Sequence, residues 1–386
     1  MTSKAIEVTG IGYPNKGAEL MLCAVAQKLR ERFGEHALIA TSPTLGSDMG
    51  YRALTRYGLH QRGCLVWKGF DLGTPLGNRL PEKLLRSYGF VAEKQVNIIL
   101  DASGLRYTDK WGYRTVKSAV HQYERVKQRG GKVILLPQAF GPFENPKVQH
   151  WTRKLYALSD LIFARDPVSS EHLQDLVRTD AKIMLGPDFT AAVHPVEIPD
   201  RAQFAGKVCI IPNQRMLDKT DTATAKAYYR FLTNVIQFCL ERGEGVFLLN
   251  HEGPADEKIC QKLMTHFDGK LGYTGQRDAV AVKSIIGYSG RVLTSRFHGL
   301  VSSLSQGVPS LSTSWSHKYE QLSEFFGVPK IIVHPEQTFN EILPKMESWA
   351  SANSNECGDF RTGDQTIITL HESIGTMWQK VWQTIG

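Results

Sequence analysis

The sequence predicts an α/β protein of two successive Rossmann-like, doubly wound domains facing a cleft, a GT-B-like arrangement. Three observations carry this. Short apolar strands alternate with longer amphipathic segments, the pattern of βαβ units and parallel sheets. The alternation stops at positions 191–206, where two prolines and changes of charge leave no period, and then restarts. In both halves the strands end in polar, often glycine-bearing turns, and open α/β sheets bind ligands at the carboxyl ends of their strands. The expected divisions are 1–195, 196–350 and a terminal segment, 351–386, that packs back across the boundary.

Lys4 to Thr9 reads as the first strand, followed by a glycine-bearing loop over 10–19. Leu20, Met21, Ala24, Val25 and Leu29 then mark one face of a helix that ends near Arg32. The loop has neither the G-x-G-x-x-G spacing of a dinucleotide site nor the G-K-[ST] of a P-loop. His36 to Ala40 is the second strand. From Ser42 to Glu93 proline, glycine and arginine interrupt any period, which predicts an insertion of short elements with a mobile loop. Gln95 to Asp101 is a buried strand ending in a polar loop, Asp101 to Gly112, whose carboxylate, hydroxyl, arginine and tryptophan suit a sugar or an anion. Arg114 to Gln128 is a basic helix, most of whose charges belong to a solvated face. Strands at Lys132–Leu136, Leu161–Ala164 and Lys182–Leu185 alternate with helices at Val148–Ser159 and from Pro167, which suits the first helical position.

After the boundary come strands at Lys207–Ile211 and Gly245–Leu249, with helices at Ala223–Glu241, Asp256–His266 and Arg277–Tyr288. The most informative stretch follows. Arg291 to Thr294 is a short buried strand, Ser295 a candidate N-cap, and Phe297, Leu300, Val301 and Leu304 form one helical face. Arg296 and His298 thus fall at a helix start, where free N–H groups and the helix dipole attract anions. The arginine offers a bidentate partner to phosphate or carboxylate. The histidine titrates near neutral pH. On a regular helix the two would point about 200° apart, so they converge only if the turn presents them. A capped, solvated turn is the simpler reading. Gly299 and a second polar turn, Ser312 to Lys318, after a strand at Val308–Leu311, favour a site. Helices at Thr338–Ser351 and Thr366–Thr384 close the chain.

With 386 residues, 42% hydrophobic and 22% charged, the chain has the composition of an ordinary globular protein. No apolar run approaches the roughly 20 residues of a membrane span. The N-terminus leads directly into a strand without the apolar core of a signal peptide. The six cysteines are scattered, with no C-x-x-C, which predicts a reducing compartment, no disulfide framework and no zinc site. The expected location is the cytoplasm. A net charge of +8 suits anionic substrates, and permits peripheral contact with the inner face of a membrane. It does not favour nucleic acid, for no basic helix carries base-reading side chains.

Together, Asn15-Lys16-Gly17-Ala18-Glu19, Asp101-Ala102-Ser103-Gly104 with Tyr107 and Asp109 to Gly112, Ala164-Arg165-Asp166 with Ser169, and Ser295-Arg296-Phe297-His298-Gly299 followed by Gly307-Val308-Pro309 resemble the polysaccharide pyruvyl transferases over most of the chain. Ala18 stands where the commoner family form has Asp, and the Asp101 loop replaces a Gly-Gly pair. The resemblance implies transfer of a pyruvyl group from phosphoenolpyruvate to a sugar of a polysaccharide or its precursor, free or lipid-linked, forming a ketal and releasing phosphate. It implies phosphoenolpyruvate held by Arg296, Phe297, Arg215 and His251, His298 as general acid and Asp101 as base. On the acceptor side it implies Asn15, Lys16, Glu19, Ser103, Arg106 and Trp111. Glu252 is a further candidate for orienting a substrate, and Lys318 reads as a solvated helix residue. No metal or other cofactor is expected. Two other readings are a nucleotide-sugar-dependent glycosyltransferase and a non-catalytic sugar-binding or scaffold protein of an export complex.

Overall fold

The computed structural model describes residues 4–12, 15–42, 54, 57–64, 66–67, 70–71, 73–179, 181–275, 277–314, 318–352 and 358–386. Parts of the 42–93 stretch expected to hold a mobile loop, chiefly 43–53, residues Trp315 to His317 of the second polar turn, and Cys357 lie outside the described residues. The chain divides into two units. Met1–Tyr13, Met21–Phe189 and Ser373–Gly386 form the first, and Pro14–Leu20 and Thr190–Glu372 the second.

The first unit is built on a nine-stranded sheet. In chain order its elements are β1 (Ala5–Thr9), α1 (Lys16–Phe33, of which 16–20 count with the second unit), β2 (Ile39–Thr41), β3 (His60–Arg62), the antiparallel pair β4 (Val66–Trp67) and β5 (Phe70–Asp71) outside the large sheet, α2 (Gly73–Arg79), α3 (Glu82–Ser87) and β6 (Phe90–Val91). Then come β7 (Val96–Asp101), β8 (Leu105–Tyr107), α4 (Gly112–Gln128), β9 (Lys132–Phe140), α5 (Pro146–Leu158), β10 (Leu161–Ala164), α6 (Pro167–Val177) and β11 (Ile183–Leu185). The strand order is β11-β10-β9-β7-β1-β2-β3-β6, with β8 paired to β9. The pairings are parallel, as the strand–helix alternation requires. Val116, Ala119, Val120, Tyr123 and Val126 give α4 a helical-period stripe, and it packs with Ile99, Val133 and Leu135 of the sheet. The final residues of the chain join this unit through Trp378, edge-on to Phe189, and Trp382, edge-on to Phe33.

The second unit contains β12 (Val208–Ile211), α7 (Arg215–Asp218), α8 (Thr222–Glu241), β13 (Val246–Leu249), α9 (Pro254–His266), β14 (Gly272–Thr274) and α10 (Ala279–Tyr288). It continues with β15 (Arg291–Thr294), α11 (Phe297–Leu304), β16 (Ser310–Thr313), α12 (Lys318–Phe325), β17 (Ile332–Val333), α13 (Phe339–Ser351) and the start of α14 (Asp364–Ile385). Its six strands run β14-β13-β12-β15-β16-β17, all parallel. This is the Rossmann order 3-2-1-4-5-6. Lys283 of α10 is fully buried, and its ammonium donates to the carbonyls of Thr190 and Ala191, both at 2.7 Å, tying down the segment that enters the unit.

Some boundaries differ from the sequence reading. The strand expected at Val308–Leu311 is Ser310–Thr313, because Gly307 takes a left-handed turn (φ 66°) first. The helix expected from Arg277 starts at Ala279, where the Asp278 carboxylate caps the N–H of Ala281.

Candidate functional site

In the second unit the strand order reverses between β12 and β15, whose last paired residues are Ile211 and Thr294. The two chains diverge beyond that pair, which opens room for a ligand. Ser295 fixes the turn. It is fully buried, its carbonyl accepts from Asn213 Nδ2 (2.7 Å) and Tyr319 OH (3.0 Å), and its hydroxyl bonds Tyr228 OH and Thr313 Oγ1, both at 2.7 Å. Ser295 is therefore not the N-cap expected of it, since these bonds occupy it. Arg296 takes that position in extended conformation (φ −108°, ψ 126°), and its own side chain makes no cap bond.

The Arg296 guanidinium does not stand open. Its Nε donates to Asp256 Oδ2 at 2.9 Å and one terminal nitrogen reaches both Asp256 oxygens at 2.5 Å, while the other pairs with Glu252. Burial pushes the Asp256 carboxyl up to about 7 and pulls Arg296 down to about 10. The bidentate contact acts against both shifts and favours the ionic pair. The N–H of Gln214 adds a bond to the Asp256 carboxylate at 3.0 Å.

His251 follows β13 and is 4% exposed. Burial, then the charges of Arg296, His298 and Lys16, pull its pKa well below the ordinary 6.5, so it is neutral at physiological pH. Its Nδ1 is buried without a hydrogen-bond partner among the described residues. His298 is the second residue of α11, partly exposed, its ring edge-on to Phe297 at 5.4 Å. The N-terminal loop lies against it, for a Cβ on Gly17 would fall 2.1 Å from His298 Nδ1. Only glycine allows that approach. In the same loop Asn15 Oδ1 accepts the N–H groups of Gly17 (2.9 Å) and Ala18 (3.3 Å), a cap for α1. Lys16 and Glu19 form a buried ion pair at 2.5 Å.

The structure thus brings Arg296, His298, His251 and Lys16 within mutual electrostatic reach, together with Glu252, Asp256 and Glu19. Lys16 and Glu19, expected on the acceptor side with the first domain, belong instead to the second unit, because the loop that carries them packs on His298. Phe297 is buried edge-on to Tyr319 at 5.7 Å, with Lys318 Nζ 4.9 Å from its ring centroid, a packing role. Arg215 is half exposed and pairs with Asp218 at 2.8 Å. Asp256 escaped the sequence reading because an acid in a first helical turn ordinarily complements the helix dipole.

In the first unit Asp101 is fully buried. One carboxylate oxygen accepts the N–H (3.0 Å) and hydroxyl of Ser103, the other the hydroxyls of Tyr107 and Tyr123 (2.7 Å). Burial and the Asp101 charge raise both tyrosine pKa values, so both hydroxyls stay protonated donors. This corrects Asp101 as the general base: with both oxygens engaged and no exposure it organises the loop that carries Ser103, Arg106 and Trp111. Among the described residues no group of His, Cys, Asp or Glu is arranged to hold a metal, and no helix is long and apolar enough to cross a membrane.

Two parallel α/β units with polar turns at their strand ends define a GT-B-like protein. Solved structures of this fold include Alr3699/HepE of Anabaena in complex with UDP and glucose, 11% identical, with a TM-score of 0.59 over 99% of each chain. The UDP-GlcNAc 2-epimerase of Methanocaldococcus jannaschii is 12% identical, with a TM-score of 0.56 over 95% of this chain and 99% of that one. A glycosyltransferase of Rickettsia africae is 11% identical, with a TM-score of 0.55 over 99% and 98%. At such identities the likeness is one of fold. No curated protein sequence matches the chain. Residues 15–317 match the family described as polysaccharide pyruvyl transferase, and the chain belongs to that family.

Proposed function

We propose that the protein transfers a pyruvyl group from phosphoenolpyruvate to two hydroxyls of one sugar, giving a ketal and inorganic phosphate. The observation that supports this most is the grouping of Arg296, His298, neutral His251 and Lys16 at the switch point of the second unit. Phosphoenolpyruvate carries a phosphate and a carboxylate, and needs cations plus a proton donor beside its methylene carbon. The start of α11 turns its positive dipole end toward this group. Glu252 now covers one edge of the Arg296 fork. A substrate anion takes that edge when Glu252 swings away, while Asp256 keeps the guanidinium aimed.

His298 donates a proton to the methylene carbon, which becomes a methyl group and leaves the adjacent carbon electrophilic. A sugar hydroxyl forms a C–O bond there and loses its proton. The C–O bond to phosphate breaks, and a second hydroxyl of the same sugar adds to the same carbon. Two C–O bonds form, one breaks, one hydroxyl proton balances the new methyl hydrogen and the other leaves with phosphate. The reaction balances without a cofactor. This donor and the free cysteines suit a cytoplasmic enzyme.

The test is phosphate release from phosphoenolpyruvate by the purified protein with a panel of sugar acceptors. Release should depend on the acceptor and fall at least about a hundredfold in His298→Ala. Absence of phosphoenolpyruvate binding, with binding of a nucleotide sugar, would overturn the reading in favour of glycosyl transfer, which the UDP-bound structural neighbours suggest as the second reading.

A further inference from the structure

The first unit holds a cavity of about 750 Å³ that the donor chemistry does not use. Its position is informative. The sheet of this unit also reverses its order, between β1 and β7, and the last register pair there is Thr9 with Asp101. Thr9, Gly10 and Ile11 after β1, and Ser103 after β7, line the cavity. It therefore sits at the switch point of its own sheet, where such folds hold ligands. Its size falls in the range of small-molecule sites and exceeds what a lone phosphate fills.

The walls are cationic and hydroxylic. Arg62, Arg106 and Arg125 all line the cavity. Two of them have carboxylate partners behind them. Arg62 pairs with buried Glu7 at 2.8 Å, and Arg125 with buried Glu93 at 2.8 Å. Arg106 differs, for it makes no ion pair among the described residues. The Asp101 carboxylate acts on it electrostatically, while its oxygens take their hydrogen bonds from Ser103, Tyr107 and Tyr123. The guanidinium lies over the Tyr107 ring, 5.8 Å from its centroid, and stays protonated. Asp101 supports that charge without a contact ion pair, so the guanidinium keeps N–H donors for the cavity.

At the rim, Trp111 is 56% exposed, an unusual burden for a side chain with so much apolar area. Its indole offers a flat face to the C–H face of a pyranose. Ser118 and Gln122 of α4 share a helical face toward the cavity, and Gln122 donates to Glu7 at 2.9 Å, leaving its carbonyl for a sugar hydroxyl.

We propose that this cavity is the acceptor site and that it takes an acidic sugar, a pyranose carrying a phosphate or a carboxylate, with Arg106 on the acidic group and Trp111 against the ring. This rests on the reading of the protein as a pyruvyl transferase, and deepens it by naming the acceptor class. A neutral sugar leaves the free N–H donors of Arg106 and the cationic wall of Arg62, Arg106 and Arg125 without an anion to bind. Inorganic phosphate alone leaves Trp111 and most of the volume unused.

Calorimetric titration without phosphoenolpyruvate tests this with glucose 1-phosphate, glucuronate, glucose and inorganic phosphate. At least one of the two acidic sugars should bind more tightly than either glucose or phosphate, and the better of them identifies the acidic group. Arg106→Gln should weaken that binding about tenfold or more, and Arg106→Lys should recover part of it. Trp111→Ala, at an exposed position, should weaken it without affecting folding, and His298→Ala should leave it unchanged. Equal binding of glucose, binding of phosphate only, no binding of either acidic sugar, or an Arg106→Gln protein that is folded and unaltered would overturn the proposal. Acidic-sugar binding that meets these expectations, in a protein that releases no phosphate from phosphoenolpyruvate, would sink the transferase reading while leaving the site in place.

Discussion

Gly17 and Arg296 show how single residues shape this site. Gly17 stands in the first turn of a helix, where alanine is intrinsically better by about 1 kcal/mol. Glycine is there because His298 Nδ1 occupies the space of a Cβ. Gly17→Ala should keep a folded protein and lower turnover on the order of a hundredfold, since a displacement of about 1 Å at the reacting group has that effect. Turnover and thermal unfolding of the variant would check this, and unchanged turnover would mean the His298 ring is not held by that contact. Arg296 and His298 were both legible in the sequence as a strand-to-helix turn. The occupancy of the Arg296 guanidinium was not, because its partners Glu252 and Asp256 come from a different βα connection and only the fold brings them there.

The turns at strand ends do most of the positioning. In both units a buried polar residue at a strand end organises the loop, Asp101 as the last residue of β7 and Ser295 just after β15. Sequence reasoning placed both at the right loops but gave one a catalytic and the other a capping role. A lone acid or serine after a strand carries no sign of how many donors will surround it. Tyr107, Tyr123, Tyr228 and Thr313 become their partners only through sheet register and helix packing. His251, after β13, shows what such burial does to an ionisable group. It stays neutral in the folded protein while the unfolded chain binds a proton below the ordinary 6.5. Stability should be complete above that pH and decline below it, by up to about 1.4 kcal/mol per pH unit from this group. Denaturant unfolding between pH 8 and 5 would show the decline, and His251→Gln should flatten it. A slope identical in the variant would assign the decline to other groups.

Across the molecule, the two parallel sheets follow from the alternation of apolar strands with amphipathic helices, and that signal is long and periodic. What the sequence hid are strands of two or three residues, such as β3, β6, β14 and β17, too short to show a period. It also hid the allegiance of Lys16–Leu20, which precede Met21 in one helix yet count with the second unit. Both sheets reverse order where a polar loop leaves the middle strand, so each unit offers its own place for a ligand. One gathers Arg296, His298, His251 and Lys16 with their acidic partners; the other gathers Arg106 and Trp111. Transfer of a pyruvyl group as a ketal requires that a solvent proton reach the methylene carbon of phosphoenolpyruvate. Running the reaction in D2O and reading the product by mass spectrometry and proton NMR is the most direct check. Early in the reaction the product should carry a ketal methyl group with one deuterium per group transferred, formed in step with phosphate. A product lacking that methyl group, or one bearing a glycosyl group from a nucleotide sugar instead, would contradict pyruvyl transfer.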